Sequence, residues 1–288
     1  MVGLLAVVAV AFGLYLLVTS PNVDWHIVRH YFTEKTILRG VGVTLELTVV
    51  SMAAGTALAV VLAAMRGSVS LAMRTVSGAY IWFFRGTPLL VQLIFWYNIA
   101  LFVPKIQIGA STLETNKLVT PLVAALLALS LNVAAYMAEI IRGGILAIDR
   151  GQTEASLALG YTSRQNLFRI VLPQTIRVIV PPTSNLAIDL LKATALVSVI
   201  GTGDLLTKAQ AIYAVNFRVI ELLIVASGWY LIVVTLATIG QGALERRLAR
   251  SVPGMRVRPP RRATWNRSVT SIDHGSASHV PNSAEPLR

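Results

Sequence analysis

Six long apolar runs determine what this chain can fold into. A helix needs roughly 20 apolar residues to cross the hydrocarbon core of a bilayer, and these runs approach or exceed that length. They are Val2–Val18, Val41–Met65, Pro88–Val103, Leu118–Ile141, Ile176–Ile200 and Phe217–Gln241. Only 13% of the residues are charged, whereas a soluble domain carries about 25%. We therefore predict an all-α, polytopic helical membrane protein with about six transmembrane helices.

Prolines shape two of the predicted spans. Thr87 and Pro88 suit the N-cap and first position of the third helix, which is short unless it begins within Tyr80–Phe84. Pro181 and Pro182 would break or kink the start of the fifth helix. We expect both spans to depart from a straight transmembrane rod.

The chain divides into three predicted segments. Residues 1–40 hold the first helix and an outer interfacial segment, 41–249 the transmembrane domain with a polar loop at 149–173, and 250–288 a basic tail. The first helix is predicted to be retained, because its run of 17 residues exceeds the usual apolar core of a signal peptide and no basic residues precede it. The tail contains Pro, Ser and Arg and few apolar residues, so we predict that it is disordered.

The positions of lysine and arginine predict the orientation. With the N-terminus inside, the inner segments hold seventeen of these residues and the outer segments six, so both termini and the loop 149–173 are predicted to be cytoplasmic. Residues 246–288 hold nine arginines against two acidic residues, a net charge of +7. We interpret this tail as a contact with anionic membrane lipid, with an unpartnered solvated tail as the alternative. A nucleic-acid partner is disfavoured, because Trp265 is the only aromatic residue of the tail and offers no stacking platform.

The loop 149–173 has the pattern of two short helices with a glycine joint. Asp149 is a suitable N-cap for the first helix, and Gly160 for its end. Thr162 and Gln165 form the pattern of a capping box for the second helix, and Pro173 predicts its end. We expect Leu167, Ile170 and Val171 to share the apolar face of that helix. The pattern also fits an amphipathic linker on the membrane surface.

The residues of this loop also resemble a known motif. The set Glu154, Ala155, Ser156, Gly160, Ile170, Leu172 and Pro173 resembles the EAA loop of ABC importer permeases. The one departure is Ser156, where that family usually has alanine. The resemblance implies that these residues contact a separate ATP-hydrolysing subunit on the cytoplasmic side of the membrane.

Three further stretches extend the resemblance to the polar amino-acid uptake permeases. They are Phe84–Gln92, the pair Tyr136–Gly144 and Gly151–Ala155, and Leu190–Gly201, and the resemblance as a whole covers about Gly40 to Ala249. It implies a five-helix core, to which Val2–Val18 adds one helix, in an inner-membrane subunit of an ATP-driven importer of polar amino acids or close analogues. The implied partners are an ATP-binding subunit that holds the ATP and magnesium, a second permease subunit, either identical or homologous, and an external substrate-binding protein.

Several chemistries lack their motifs in this sequence. The stretch Gly201–Lys208 comes nearest to a phosphate-binding loop but lacks the glycine before the lysine. No cysteine is present, and His26 and His30 lie on one predicted helical face without a clear third ligand for a metal. We therefore predict that the chain is not an enzyme and holds neither a metal nor a cofactor.

Polar residues within the predicted spans are candidates for a substrate pathway, because buried charge at membrane depth is costly. Asp189 and Lys192 are three residues apart, so they either form a structural pair or contact the ammonium and carboxylate of a zwitterion. Glu46, Asn132 and Asn185 either join the pathway or form hydrogen bonds between helices. Two other functions also fit the sequence, namely a membrane scaffold or channel whose loop binds another protein, and a secondary transporter, although repeated halves are not evident.

Overall fold

The computed structural model describes residues 23–108 and 111–249, together with residues 5, 12, 15 and 19–21. Most of the predicted Val2–Val18 helix and the whole predicted tail 250–288 lie outside the described residues. An amphipathic helix, α1 (Trp25–Phe32), precedes the first long helix, α2 (Lys35–Arg66). Glu34 caps α2, because its side chain accepts hydrogen bonds from the amides of Thr36 and Ile37 at 2.6 and 3.3 Å.

The electrostatics of Glu34 follow from this capping. Burial works to raise the pKa of its carboxyl group, but the hydrogen bonds from Thr36 and Ile37 and the charge of His30 bring the pKa below its ordinary value. The carboxylate also lies at the helix N-terminus, where negative charge is stabilising. Glu34 therefore anchors the start of α2 in its ionised form.

In the part of the chain that the structure describes, four helical stretches are long and apolar enough to cross a membrane. They are α2, α6 (Pro121–Leu146), the continuous stretch Ser163–Ile200, and residues Val219–Leu248 of the last helix, α11 (Val219–Ala249). The prediction of a polytopic helical membrane protein is thus confirmed, whereas the number of six helices is not reached by the described residues. The fold is helical apart from one short hairpin among these residues.

The predicted third span, Pro88–Val103, is wrong as a single helix. Helix α3 (Leu71–Gly86) ends before Thr87 and Pro88, and α4 (Leu89–Tyr97) has only nine residues. At 1.5 Å per residue, α4 is about 13 Å long, too short to span a bilayer alone. A 3-10 turn (Ile99–Leu101) and a hairpin follow, with β1 (Lys105–Ile108) antiparallel to β2 (Ser111–Glu114).

Two short helices lie between the long ones. Helix α5 (Thr115–Leu118) leads into α6, and α10 (Leu205–Asn216), which the apolar pattern did not predict, lies between the spans that end at Ile200 and begin at Val219. Of the predicted break or kink at Pro181 and Pro182, a break is excluded, since both prolines lie inside the continuous helix α9 (Leu172–Ala193), and a kink stays a prediction.

Helices α2 and α6 pack closely at the centre of the bundle. A Cβ atom added at Gly55 of α2 would lie 2.6 Å from Val133 Cγ1 and 2.8 Å from the Ser130 carbonyl oxygen of α6. Small residues allow such backbone approach between membrane helices. The core around this contact includes Leu47 and Leu129, both fully buried. A second core cluster joins α1, α2, α10 and α11.

Candidate functional site

The first helix of the polar loop, α7 (Arg150–Ala158), begins and ends as its residues predict. The Asp149 carboxylate accepts a hydrogen bond from the Gly151 amide at 2.7 Å. At the other end the amide of Gly160 donates to the Leu157 carbonyl at 3.0 Å, and that of Tyr161 to the Ser156 carbonyl at 3.1 Å. This pair of bonds is a Schellman motif, and Gly160 adopts the left-handed conformation it requires, with φ of +84°.

The second helix, α8 (Ser163–Asn166), begins with the predicted capping box. The Gln165 amide donates to Thr162 Oγ1 at 3.2 Å, and the Thr162 amide donates to Gln165 Oε1 at 2.9 Å. The chain then passes through a π-helical turn (Leu167–Val171) into α9.

The predicted end of the second helix at Pro173 is therefore wrong. In this turn the Leu172 amide donates to the Leu167 carbonyl, five residues back, which widens the helix just before the proline. Pro173 comes just after the π turn, and this wider turn accommodates its ring. As a result α8 and α9 form one continuous helical body.

We name residues 149–173 the coupling segment, after the role that the resemblance implies for them. Glu154 and Ala155 are exposed, Ser156 is buried, and among the described residues Glu154 has no ion-pair partner. The same segment exposes apolar side chains, with Leu159 79% and Phe168 56% accessible. The segment thus presents a carboxylate and an uncovered apolar surface together.

The remaining motif residues differ in exposure. Gly160 and Pro173 are exposed, and Ile170 and Leu172 are half-buried. The predicted apolar face is only partly confirmed, because Val171 is buried while Leu167 is 40% accessible. An exposed Leu167 enlarges the uncovered surface of the segment.

A polar groove lies between α9 and α11. Lys192 Nζ and Asp189 Oδ1 are 2.8 Å apart and both side chains are more than half exposed, so the predicted pair forms. Gln241 Nε2 donates to Asn185 Oδ1 at 2.8 Å and to Glu245 Oε1 at 2.9 Å. The cavity measures about 560 Å³ and is lined by Asn185, Ile188, Asp189, Lys192, Thr238, Gln241, Gly242 and Glu245.

The sequence predicted the polar residues on the α9 side of this groove but not those on the α11 side. Asn185, Asp189 and Lys192 were candidates, but Gln241 and Glu245 of α11 were not. Their spacing of four residues places both on one face of a helix, which is the signal that could have revealed them. The groove carries two carboxylates against one ammonium group, and hence an excess of negative charge.

Two other candidates lie outside the lining of this groove. Asn132 Nδ2 donates to the Phe84 carbonyl at 3.1 Å, and Gln92 Nε2 donates to the same carbonyl at 3.0 Å. Pro88 has no amide to bond this carbonyl, so the two side chains satisfy an acceptor freed by the break between α3 and α4. Asn132 thus makes the predicted interhelical hydrogen bond, while Glu46 is exposed on α2.

His26 and His30 both lie on α1. The side chain of Asp24 caps this helix, because it accepts a hydrogen bond from the backbone amide of His26 at 3.0 Å. Within residues 23–108 and 111–249, no group of three or more His, Asp or Glu side chains is placed to hold a metal ion.

The comparison with protein families decides the identity. A family described as "Binding-protein-dependent transport system inner membrane component" matches residues 36–250, well over half of the chain. The chain belongs to this family of ABC importer permeases. It is thus the permease subunit of a transporter, a multi-pass protein of the inner membrane, and not an enzyme, since ATP hydrolysis in such systems belongs to a separate subunit.

Individual relatives of this permease agree with that assignment. It is 37% identical to the arginine transport system permease protein ArgU of Corynebacterium glutamicum, over 84% of this chain and 78% of the relative. It is 38% identical to the L-cystine transport system permease protein TcyB of Bacillus subtilis, over 82% of this chain and 96% of the relative. The crystal structure of an amino acid ABC transporter with histidines superposes with a TM-score of 0.69 at 34% identity, covering 78% of the permease and 99% of that chain.

Proposed function

We propose that this permease imports a polar amino acid, driven by an ATP-binding subunit that docks on the coupling segment. The observation that carries the proposal is the exposed surface around Glu154, on a helix with defined caps at both ends. A segment that exposes both a carboxylate and apolar side chains suits a protein partner of mixed chemistry. ATP and magnesium would be held by that partner and not by this chain.

A continuous helix connects the coupling segment with the groove. Helix α8 runs through the π turn into α9 without a break, and α9 carries Asn185, Asp189 and Lys192. A push on α7 by the closing ATP-binding subunit would therefore tilt the helix that lines the groove. With the coupling segment and both termini in the cytoplasm, this tilt alternates the access of the pathway between the two sides.

We propose that the groove between α9 and α11 is part of the substrate pathway. Lys192 would meet a substrate carboxylate, and Asp189 and Glu245 would meet positively charged groups. The excess of negative charge favours a cationic amino acid. A second permease subunit, identical or homologous, would enclose the pathway, and an external substrate-binding protein would deliver the substrate.

The docking proposal is tested with Glu154→Lys. We expect this variant to lose both the copurifying ATP-binding subunit and ATP-dependent uptake of radiolabelled arginine and cystine into proteoliposomes. Glu114→Lys is the matched control, because it reverses an exposed carboxylate whose one ion-pair partner in the described part of the chain is Lys117 at 3.0 Å, an interaction worth little. Uptake that continues without any ATP-binding subunit would refute the proposal and favour a channel or a secondary transporter.

The pathway proposal needs variants that leave assembly intact. We expect Asp189→Asn and Lys192→Met to lower uptake while the ATP-binding subunit still copurifies in full yield. Lys117→Met serves as control, because it removes an exposed lysine of α5, just after the hairpin and outside the lining of the groove. Full-rate uptake by both groove variants would show that Asp189 and Lys192 do not contact the substrate.

A further inference from the structure

Two polar side chains of the coupling segment are buried. Ser156 of α7 is only 5% accessible and Asn166 of α8 only 7%. The Ser156 hydroxyl donates to Asn166 Oδ1 at 2.8 Å and shares its proton with the Thr153 carbonyl, also at 2.8 Å. Ser156 is the position at which this chain departs from the usual alanine, and alanine could not form this bond.

Helix α7 packs against α8 and against the π turn. Among the described residues, the Ser156–Asn166 contact is the one side-chain hydrogen bond that connects α7 with α8. The Schellman bonds close α7, and the capping box fixes the start of α8, but neither sets the angle between the helices. Gly160 lies at the joint with φ of +84°, and nothing lies within 4 Å of where its Cβ would be, so no side chain at this position fixes the angle.

We propose that the Ser156–Asn166 hydrogen bond is an interhelical lock that holds α7 and α8 at a fixed angle. The proposal rests on the proposed function, in which an ATP-binding subunit pushes on α7. A push is transmitted to α9 only if the joint does not bend. Ser156 and Asn166 are thus positioning residues that determine how much of each ATP-driven movement reaches the transport pathway. A buried hydrogen bond of this kind suppresses the unlocked arrangement about five-fold.

The angle between the helices can be measured directly, because the chain has no cysteine. Gln152 and Arg164 are exposed, and spin labels on Gln152→Cys and Arg164→Cys give the distance between α7 and α8. This distance is measured in the permease without its ATP-binding subunit. We expect a single narrow distance distribution in the parent protein and a broad one after Ser156→Ala or Asn166→Ala. Ser163→Ala is the matched control, since this exposed serine makes no side-chain hydrogen bond among the described residues, and the distribution should stay narrow.

The functional consequence is measured in the assembled transporter as arginine molecules moved per ATP hydrolysed. We expect this ratio to fall in Ser156→Ala and in Asn166→Ala, by less than the roughly five-fold rise in the unlocked arrangement because the parent is mostly locked, with normal copurification of the ATP-binding subunit. The double variant should lose no more than either single one, because all three remove the same bond. Asn166→Asp, which keeps an acceptor oxygen at the same place, should restore most of the coupling.

The outcomes separate the lock from the proposed function. Unchanged distance distributions in both alanine variants would overturn the lock, and so would losses that multiply in the double variant. If the parent permease binds no ATP-binding subunit, the proposed function fails, whereas the distance measurement still decides whether the lock exists.

Discussion

The glycine at the joint of the coupling segment gives a prediction whose size follows from one dihedral angle. Gly160 has φ of +84°, and a Cβ added there would meet nothing within 4 Å. The substitution Gly160→Ala therefore adds no clash, and its cost is the strain of placing a side chain in the left-handed region. That strain is about 1–2 kcal/mol, which raises the population of the opened joint by roughly 5- to 30-fold.

Hydrogen exchange at the joint measures this change. The amides of Gly160 and Tyr161 are protected by the carbonyls of Leu157 and Ser156, so we expect the Tyr161 amide to exchange roughly 5- to 30-fold faster in Gly160→Ala. Mass spectrometry of the purified permease would measure deuterium uptake in peptides that cover residues 150–166.

Two variants separate strain in the left-handed region from the mere addition of a side chain. Gly160→Asn should change exchange much less, because asparagine tolerates the left-handed conformation. Gly143→Ala adds a methyl group to the interior of α6, where nothing lies within 4 Å, and should stabilise the helix slightly. The reasoning is refuted if Gly160→Ala exchanges at the parent rate, or if Gly160→Asn loses as much protection as Gly160→Ala.

Three further predictions concern the stability of the bundle. Gly55→Ala should lower the free energy of unfolding by about 1–3 kcal/mol in thermal denaturation, because its Cβ would press on a backbone carbonyl of α6, whereas Gly42→Ala, which meets nothing within 4 Å, should not. Gln92→Leu should cost about 1 kcal/mol by the same assay, since it removes one of the two donors to the Phe84 carbonyl while Asn132 keeps the other; an unchanged melting temperature would mean that the Gln92 hydrogen bond adds nothing to stability. The ionised Glu34, whose pKa is lower than in the unfolded chain, stabilises the fold above its unfolded pKa, and this contribution is lost as pH falls through the folded pKa. Melting temperatures from pH 7 to 3 should therefore fall less steeply in Glu34→Gln, and parallel curves would contradict this.

Local features of the site could be predicted from the sequence because their partners are close along the chain. The caps at Asp149 and Thr162 and the joint at Gly160 each depend on hydrogen bonds that span five residues or fewer. The Asp189–Lys192 pair likewise needs only helical spacing. Such features follow from residue type and offset alone.

Features that depend on packing between distant segments were missed. The groove acquires Gln241 and Glu245 only because α11 packs against α9, and no spacing along the chain contains that contact. The apolar run at 88–103 could not show that α4 stops at Tyr97, since hydropathy reports composition and not helix length. Pro173 was predicted to end a helix because prolines usually do, but the π turn before it accommodates the ring.

The most direct test of the whole account is the side of the membrane on which the coupling segment lies. Gln165→Cys gives a single exposed thiol in a chain without cysteine. A membrane-impermeant maleimide should label it in inside-out vesicles and leave it unlabelled in intact cells, and a bound ATP-binding subunit should reduce the labelling in vesicles. Labelling in intact cells would place the segment on the outer face, where no cytoplasmic ATPase could act on it, and would contradict the central claim.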